Sequence, residues 1–319
     1  MTNAILLVAA GLVLLAIGGE LLVRGSVGMA TRLGISPLLA GLTIVGFGTS
    51  TPELATSIQA AMAGSPGIAV GNVIGSNIAN ILFILGVSAL ILPLSVNPAS
   101  FKRDSIALGG SALLCTGAVL TGVIGPVIGI ILIACLVGYV YWAYKTESAA
   151  PCPEGARHEA EAAEHPVPAT TAPILLIGMI IAGLAAAIFG AGWLVDGAVV
   201  LASAAGLSEA VIGLTVVAVG TSLPELIACV IAVLRKHEDV ALGNVVGSNI
   251  YNILGILGIT AMVQPITIPE EIARFDVWVM LAVTALLLVQ LRSGWRLSRA
   301  EGGLLVLIYA AYTAFLVMR

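Results

Sequence analysis

Residues 24–86 align with residues 196–258 at a constant offset of 172 and without a gap. GLTIVGFGTSTPEL at 41–54 meets GLTVVAVGTSLPEL at 213–226 with 10 of 14 positions identical, and GNVIGSNIANILFILG at 71–86 meets GNVVGSNIYNILGILG at 243–258 with 13 of 16. Any fold for this chain must therefore hold two copies of one substructure. The setting of the copies is apolar: 59% of the residues are hydrophobic and 9% charged, where charge is about 25% in an ordinary soluble domain. Apolar runs fall at about 4–23, 37–62, 68–92, 106–122, 126–144, 173–200, 209–234, 240–263, 275–291 and 302–318, each of a length suited to a bilayer-crossing helix. The chain reads as an all-α polytopic membrane protein of ten transmembrane helices. Five helices per copy is an odd number, so the second copy enters the membrane from the opposite side and the repeats are inverted.

This divides the chain into a first five-helix repeat at 1–145, an acidic linker at 146–172 and a second five-helix repeat at 173–319. The linker is rich in Ala, Pro and Glu, a composition that does not bury enough apolar surface to fold. A regulatory cation site on His158, Glu159 and Glu161 has nothing to fix its ligands. Assigning loops alternately to the two sides puts Arg24, Arg32, Lys102, Arg103, Lys145, Arg157, Arg235, Lys236, Arg292, Arg296 and Arg299 on one side and only Arg274 and Arg319 on the other. The positive-inside rule then places both termini outside and the linker in the cytoplasm. With a net charge of −4 and no basic block, a nucleic-acid partner is excluded. The lipid bilayer is the partner expected, and no protein partner is implied. Cys115, Cys135, Cys152 and Cys229 lack the spacing of a metal or disulfide framework and are expected to pack.

In each copy the identity centres on a Glu, Glu53 or Glu225, in an otherwise apolar helix with no basic residue in the motif. A carboxylate at that depth costs at least a few kcal/mol and points to function. Pro52 and Pro224 cannot donate to Gly48 and Gly220 four residues back, so each helix should break or kink, and broken backbone at that depth is tolerated where it lines a cavity. Carbonyls of Gly46, Gly48, Ala218 and Gly220, hydroxyls of Thr49, Ser50, Thr221 and Ser222, and the two carboxylates form an oxygen set that suits a hard cation. In the partner motif, Ser76 and Asn80, like Ser248 and Asn252, lie four apart on one helix face and are favoured as ligands. Asn72, Asn77, Asn244 and Asn249 fit either ligation or helix-packing hydrogen bonds. Two ionised Glu residues balance one divalent cation or two or more monovalent ones, and competition between those occupancies would couple their fluxes as antiport.

The doubled G-T-S-x-P-E and G-S-N-I-x-N motifs, at 48–53 with 75–80 and at 220–225 with 247–252, resemble the two α-repeats of the sodium/calcium exchanger family in the calcium/cation antiporter superfamily. The resemblance covers essentially the whole chain. It implies Ca2+ and Na+ as transported substrates, no cofactor, and no enzymatic activity. It implies central carboxylates at Glu53 and Glu225, hydroxyl and backbone oxygens from Thr49, Ser50, Thr221 and Ser222, carbonyls from Gly46 and Ala218, and a cluster completed by Ser76, Asn80, Ser248 and Asn252. It further implies that the first and sixth helices slide over a rigid core, a motion for which Gly18-Gly19 and Gly190-Ala191-Gly192 would provide a smooth face. Asn rather than Asp at 252 argues against K+ cotransport. The absence of the G-N-x-x-E pattern of the proton-coupled branch disfavours H+ as the driving ion, although H+/Ca2+ exchange is the runner-up. The chain has no long regulatory domain of the animal type, and a prokaryotic plasma membrane is the expected location.

Two other classes compete. An intramembrane hydrolase would need a base near Ser50, Ser76, Ser222 or Ser248, but His158, His165 and His237 all fall in loops. A passive cation channel could also be built from inverted repeats, but paired acids favour tight binding over rapid conduction.

Overall fold

A computed structural model describes residues 2–33, 35, 37–64, 66–148, 172–204, 220 and 222–318. Its helices are α1 (Thr2–Leu33), α2 (Pro37–Ala40), α3 (Gly46–Thr49), α4 (Thr51–Met62), α5 (Pro66–Ala79), α6 (Leu85–Ile91), α7 (Pro98–Leu120), α8 (Pro126–Ser148), α9 (Pro173–Ala204), α10 (Leu223–Leu234), α11 (Glu238–Tyr251), α12 (Gly258–Val263), α13 (Val277–Arg292) and α14 (Arg299–Met318). Local chemistry sets many of the ends. Pro opens α2, α5, α7, α8 and α9, where its missing N–H is not needed. Ser298 and Glu301 form a reciprocal capping box on α14, with Ser298 N–H donating to Glu301 Oε2 at 2.8 Å and Glu301 N–H to Ser298 Oγ at 3.3 Å. Gly64 and Gly122 take positive φ (76° and 80°) just past α4 and α7, a conformation that β-carbon sterics reserve largely for glycine.

Seven described helical segments are long and apolar enough to cross a membrane: Thr2–Leu33, Pro66–Ile91, Pro126–Thr146, Pro173–Leu194, Glu238–Val263, Ile272–Arg292 and Arg299–Leu316. Of the other three apolar runs, 37–62 is broken into several pieces, 106–122 lies mostly in α7, whose first two turns carry Lys102, Arg103 and Asp104, and 209–234 is described mainly as the 12-residue α10. Large apolar side chains stand exposed around the outside, among them Ile174 (76%), Val127 (72%) and Leu307 (69%). Such a surface belongs against lipid rather than water.

Burial divides the spans into two kinds. Within Pro66–Ile91 and Glu238–Val263, 67% and 83% of the most apolar window is buried, against 28% in α1 and in α9. The motif-bearing helices are therefore the centre of the molecule. Outside them α1 and α9 pack together along their length through heptad-spaced glycines, Gly11, Gly18 and Gly25 against Gly183, Gly190 and Gly197. A Cβ on Gly18 would lie 2.7 Å from Ala187 N, and one on Gly190 2.9 Å from Gly11 O, so the backbones touch as only glycine permits. Gly18 and Gly190 join the two outer helices to each other, and Gly19 turns towards Ile227 and Ile231 of α10.

Two short antiparallel ribbons tie the first half to the second. β1 (Leu94–Ser95) pairs with β4 (Arg296–Leu297), and β2 (Val123–Ile124) with β3 (Ile266–Thr267). A tyrosine–aspartate bond occurs in each half, Tyr139 Oη to Asp104 Oδ1 at 3.3 Å and Tyr312 Oη to Asp276 Oδ1 at 2.9 Å.

The apolar runs gave no hint of one feature. Among the described residues, four segments wind as π-helix: Gly41–Val45, Asn80–Ile84, Asn252–Leu257 and Ile272–Asp276. Two of them begin at equivalent residues of the repeat, Asn80 and Asn252. A π-turn holds one residue more than an α-turn and is common at functional sites, but it leaves the apolar spacing too little altered to be read from sequence.

Candidate cation site

The first repeat breaks where Pro52 predicts. α3 ends at Thr49, Ser50 departs from helical geometry (φ −82°, ψ 10°), and α4 restarts at Thr51 with Glu53 in its first turn. In the second repeat Ser222 takes nearly the same angles (φ −92°, ψ 9°) before α10, whose first turn carries Glu225. Glu53 and Glu225 are each 1% exposed, and Thr49, Ser50, Ser76, Asn80, Ser222, Ser248 and Asn252 are buried with them. Thr221 and the carbonyl of Ala218, also expected at the site, lie outside the described residues.

The two halves hold each other's acids. Ser50 Oγ donates to Glu225 Oε1 at 2.9 Å, and Ser222 Oγ donates to Glu53 Oε1 at 3.5 Å. Ser248 Oγ donates to the Gly46 carbonyl at 3.0 Å, and Thr49 Oγ1 lies 3.5 Å from the same oxygen. Asn80 Nδ2 donates to Asn249 Oδ1 at 3.1 Å, and Asn249 Nδ2 to the Asn77 carbonyl at 3.5 Å. Residues from both repeats thus converge on one buried polar patch.

That patch is left incomplete. Among the described residues Glu53 Oε2, Glu225 Oε2, Asn80 Oδ1 and both side-chain polar atoms of Asn252 are buried without a hydrogen-bond partner, and neither Glu forms an ion pair with Lys or Arg. Most buried polar atoms in folded proteins find a partner, and an unpaired buried carboxylate costs several kcal/mol. Two carboxylates with neutral oxygens around them and no basic residue have the donor chemistry of a hard-cation cage.

The four asparagines left open by the sequence now divide. Asn72 Nδ2 donates to the Glu53 carbonyl at 3.1 Å and to Ser57 Oγ at 2.9 Å. Its repeat partner Asn244 does the same in the other half, to the Glu225 carbonyl at 3.4 Å and to Cys229 Sγ at 3.1 Å. These two brace the helices that restart after each break. Asn77 Nδ2 bonds back to the Val73 carbonyl at 2.7 Å, and Asn249 bridges Asn80 to Asn77.

Sequence reasoning passed over Glu20. This carboxylate in the apolar α1 receives a two-pronged contact from Arg235, just past α10, with Nε to Oε2 at 3.1 Å and Nη2 to Oε1 at 2.5 Å, and also pairs with Arg24 one turn on. A charge inside so apolar a run was the available signal.

The sequence pattern of the family described as "Sodium/calcium exchanger protein" matches residues 3–145 and 175–318. A relative named putative antiporter CaxA, from Alkalimonas amylolytica, is 40% identical over 98% of both chains. The sodium/calcium exchanger MaX1 of Methanosarcina acetivorans is 32% identical over 98% of this chain and 97% of its own, and the inner membrane protein YrbG of Escherichia coli 32% over 100% and 97%. Among solved structures, that of the sodium-calcium exchanger NCX_Mj soaked with Na+ and Sr2+ superposes with a TM-score of 0.82, at 31% identity over 98% of each chain.

Proposed function

The chain belongs to the sodium/calcium exchanger protein family, and from that premise we propose that it is a secondary active antiporter exchanging Na+ for Ca2+ by alternating access at one central site. Glu53 and Glu225 are its charged ligands. Thr49, Ser50, Thr221, Ser222, Ser76, Asn80, Ser248 and Asn252 with the carbonyls of Gly46 and Ala218 complete an oxygen cage. The observation that carries this reading is the reciprocal one: each acid is bonded by the other half's serine and, among the described residues, has an orphaned second oxygen and no basic partner.

The architecture proposed with it is ten spans in two inverted five-helix repeats at 1–145 and 173–319. The ribbons support it, since β1 and β3 stand 172 residues apart and each pairs with the opposite half, as do the two π-turns that open at Asn80 and Asn252. The distribution of Lys and Arg supports a cytoplasmic linker at 146–172 with outside termini. A bacterial relative named as an inner membrane protein supports a plasma-membrane location.

The mechanism follows from charge. Two carboxylates close together repel each other unless a cation lies between them, and one Ca2+ or at least two Na+ neutralise them equally well. A cage that can be filled by either, but not emptied cheaply, returns across the membrane only when loaded. Obligatory exchange is the result.

The test is radiolabelled Ca2+ uptake into proteoliposomes under imposed Na+, K+ or H+ gradients. Uptake driven by an outward Na+ gradient is expected. Uptake that persists without Na+ and collapses with the pH gradient would instead assign H+/Ca2+ exchange, and uptake needing no counter-ion would mean a channel. Glu53→Gln and Glu225→Gln should each remove exchange by at least about a hundredfold, since losing one of two buried charges forfeits several kcal/mol of cation binding, while the protein stays inserted.

A further inference from the structure

The orphaned buried polar atoms do not all belong to the central cage. Ser88 Oγ on α6 and Thr260 Oγ1 on α12 are 0% exposed and have no hydrogen-bond partner among the described residues. They occupy equivalent positions of the repeat, 172 residues apart. The two remaining orphans, on Ser26 and Gln290, correspond to Ala198 and Ala118 and so lack this pairing.

A helical hydroxyl normally satisfies itself on the carbonyl four residues back, as Thr116 does on Ala112 and Thr284 on Met280, both at 2.8 Å. At Ser88 and Thr260 the residue four back is Ile84 or Ile256, and each belongs to a π-turn that begins at Asn80 or Asn252. The wider winding leaves both hydroxyls free.

Their direction follows from helix geometry. Gly86 of α6 packs against Val306 and Gly302 of α14, and Gly258 of α12 against Gly129 and Ile133 of α8. At about 100° per residue, Ser88 and Thr260 lie about 200° round from those glycines and point away from the peripheral helices. On the remaining sides α6 packs on α10, and α12 on α4. These are the helices that lead away from Glu225 and Glu53, α10 towards Arg235 and α4 towards Gly64.

We propose that Ser88 and Thr260 mark two staging sites for the transported cation, one on each approach to the central cage, where a partly hydrated ion takes one oxygen from the hydroxyl before entering or after leaving. Ser88 serves the face bearing Arg235 and Thr260 the face bearing Gly64. The inference rests on the exchanger reading, which supplies the cation.

The experiment measures half-saturating Ca2+ from each face, in inside-out and right-side-out vesicles, for Ser88→Ala and Thr260→Val. Loss of one neutral oxygen ligand should raise the value about fivefold, for Ser88→Ala at the Arg235 face only and for Thr260→Val at the Gly64 face only. Ser88→Thr and Thr260→Ser, which keep the hydroxyl, should restore it. An equal change at both faces, no change at either, or a fall in thermal stability alone, as for a hydroxyl that holds only a structural water, overturns the proposal. Glu53→Gln in parallel separates the two readings: if it abolishes flux while both hydroxyl variants behave as wild type, the exchanger stands and the staging sites fall.

Discussion

A single hydrogen-bond donor separates the asparagines that brace from the oxygens that face an ion. Asn72 spends its amide on the Glu53 carbonyl and Ser57, and Asn244 spends its own on the Glu225 carbonyl and Cys229. Replacing either by Ala removes a buried hydrogen bond to the carbonyl of the acid in the first turn of the restarted helix, at a cost of about 0.5–1.5 kcal/mol. Asn72→Ala and Asn244→Ala should therefore lower the melting temperature of the purified protein and weaken Ca2+ affinity by about tenfold, equivalent to 1.4 kcal/mol. Isothermal titration with Ca2+ checks the second effect. The sequence marked these positions as special through their exact repetition but gave no means of choosing between bracing and ligation. That choice depends on which neighbour lies within about 3 Å, and the neighbours Ser57 and Cys229 sit 15 residues away along the chain.

The elements divide into those that repay their apolar pattern and those that depart from it. Pro52 and Pro224 announced the helix breaks because a missing N–H is a property of the residue itself. The π-turns at Asn80 and Asn252 stayed hidden because their one extra residue per turn arises from packing between helices. The contact of α1 with α9 was half legible: the glycines were visible, whereas their partner was not. A Cβ at Gly18 would meet backbone atoms Ala187 N at 2.7 Å and Gly183 O at 2.8 Å, and backbone cannot rotate aside as a side chain can. Gly18→Ala should cost about 1–3 kcal/mol by overpacking, read as a lowered melting temperature, whereas Gly110→Ala, which meets nothing within 4 Å, should leave it unchanged.

Over the whole molecule, the inverted arrangement is proposed from arithmetic, an odd number of apolar runs per copy together with one-sided Lys and Arg. The crossed serine–glutamate bonds could not be read from spacing, because they join residues 175 and 169 positions apart. Topology gives a direct check in a chain whose four cysteines are replaced, Cys229 by the Ser found at its counterpart, position 57. Ala63→Cys should react with an impermeant thiol reagent only from outside the cell, and Ser293→Cys only after the inner face is opened. Both positions are exposed. Labelling of the two from the same side would contradict the inverted reading and with it the sidedness assigned to Ser88 and Thr260.

The crossed serine–glutamate bonds also carry a genealogy. A forebear with one copy of this pattern would have owned one serine and one acid, and could have closed a cage only by meeting an upside-down twin. Fusion of two such genes would turn a chance encounter between molecules into a standing arrangement within one. It would also free the copies to drift apart, as Ser57 and Cys229 have done at matching positions, while the residues that must still clasp one another stayed alike.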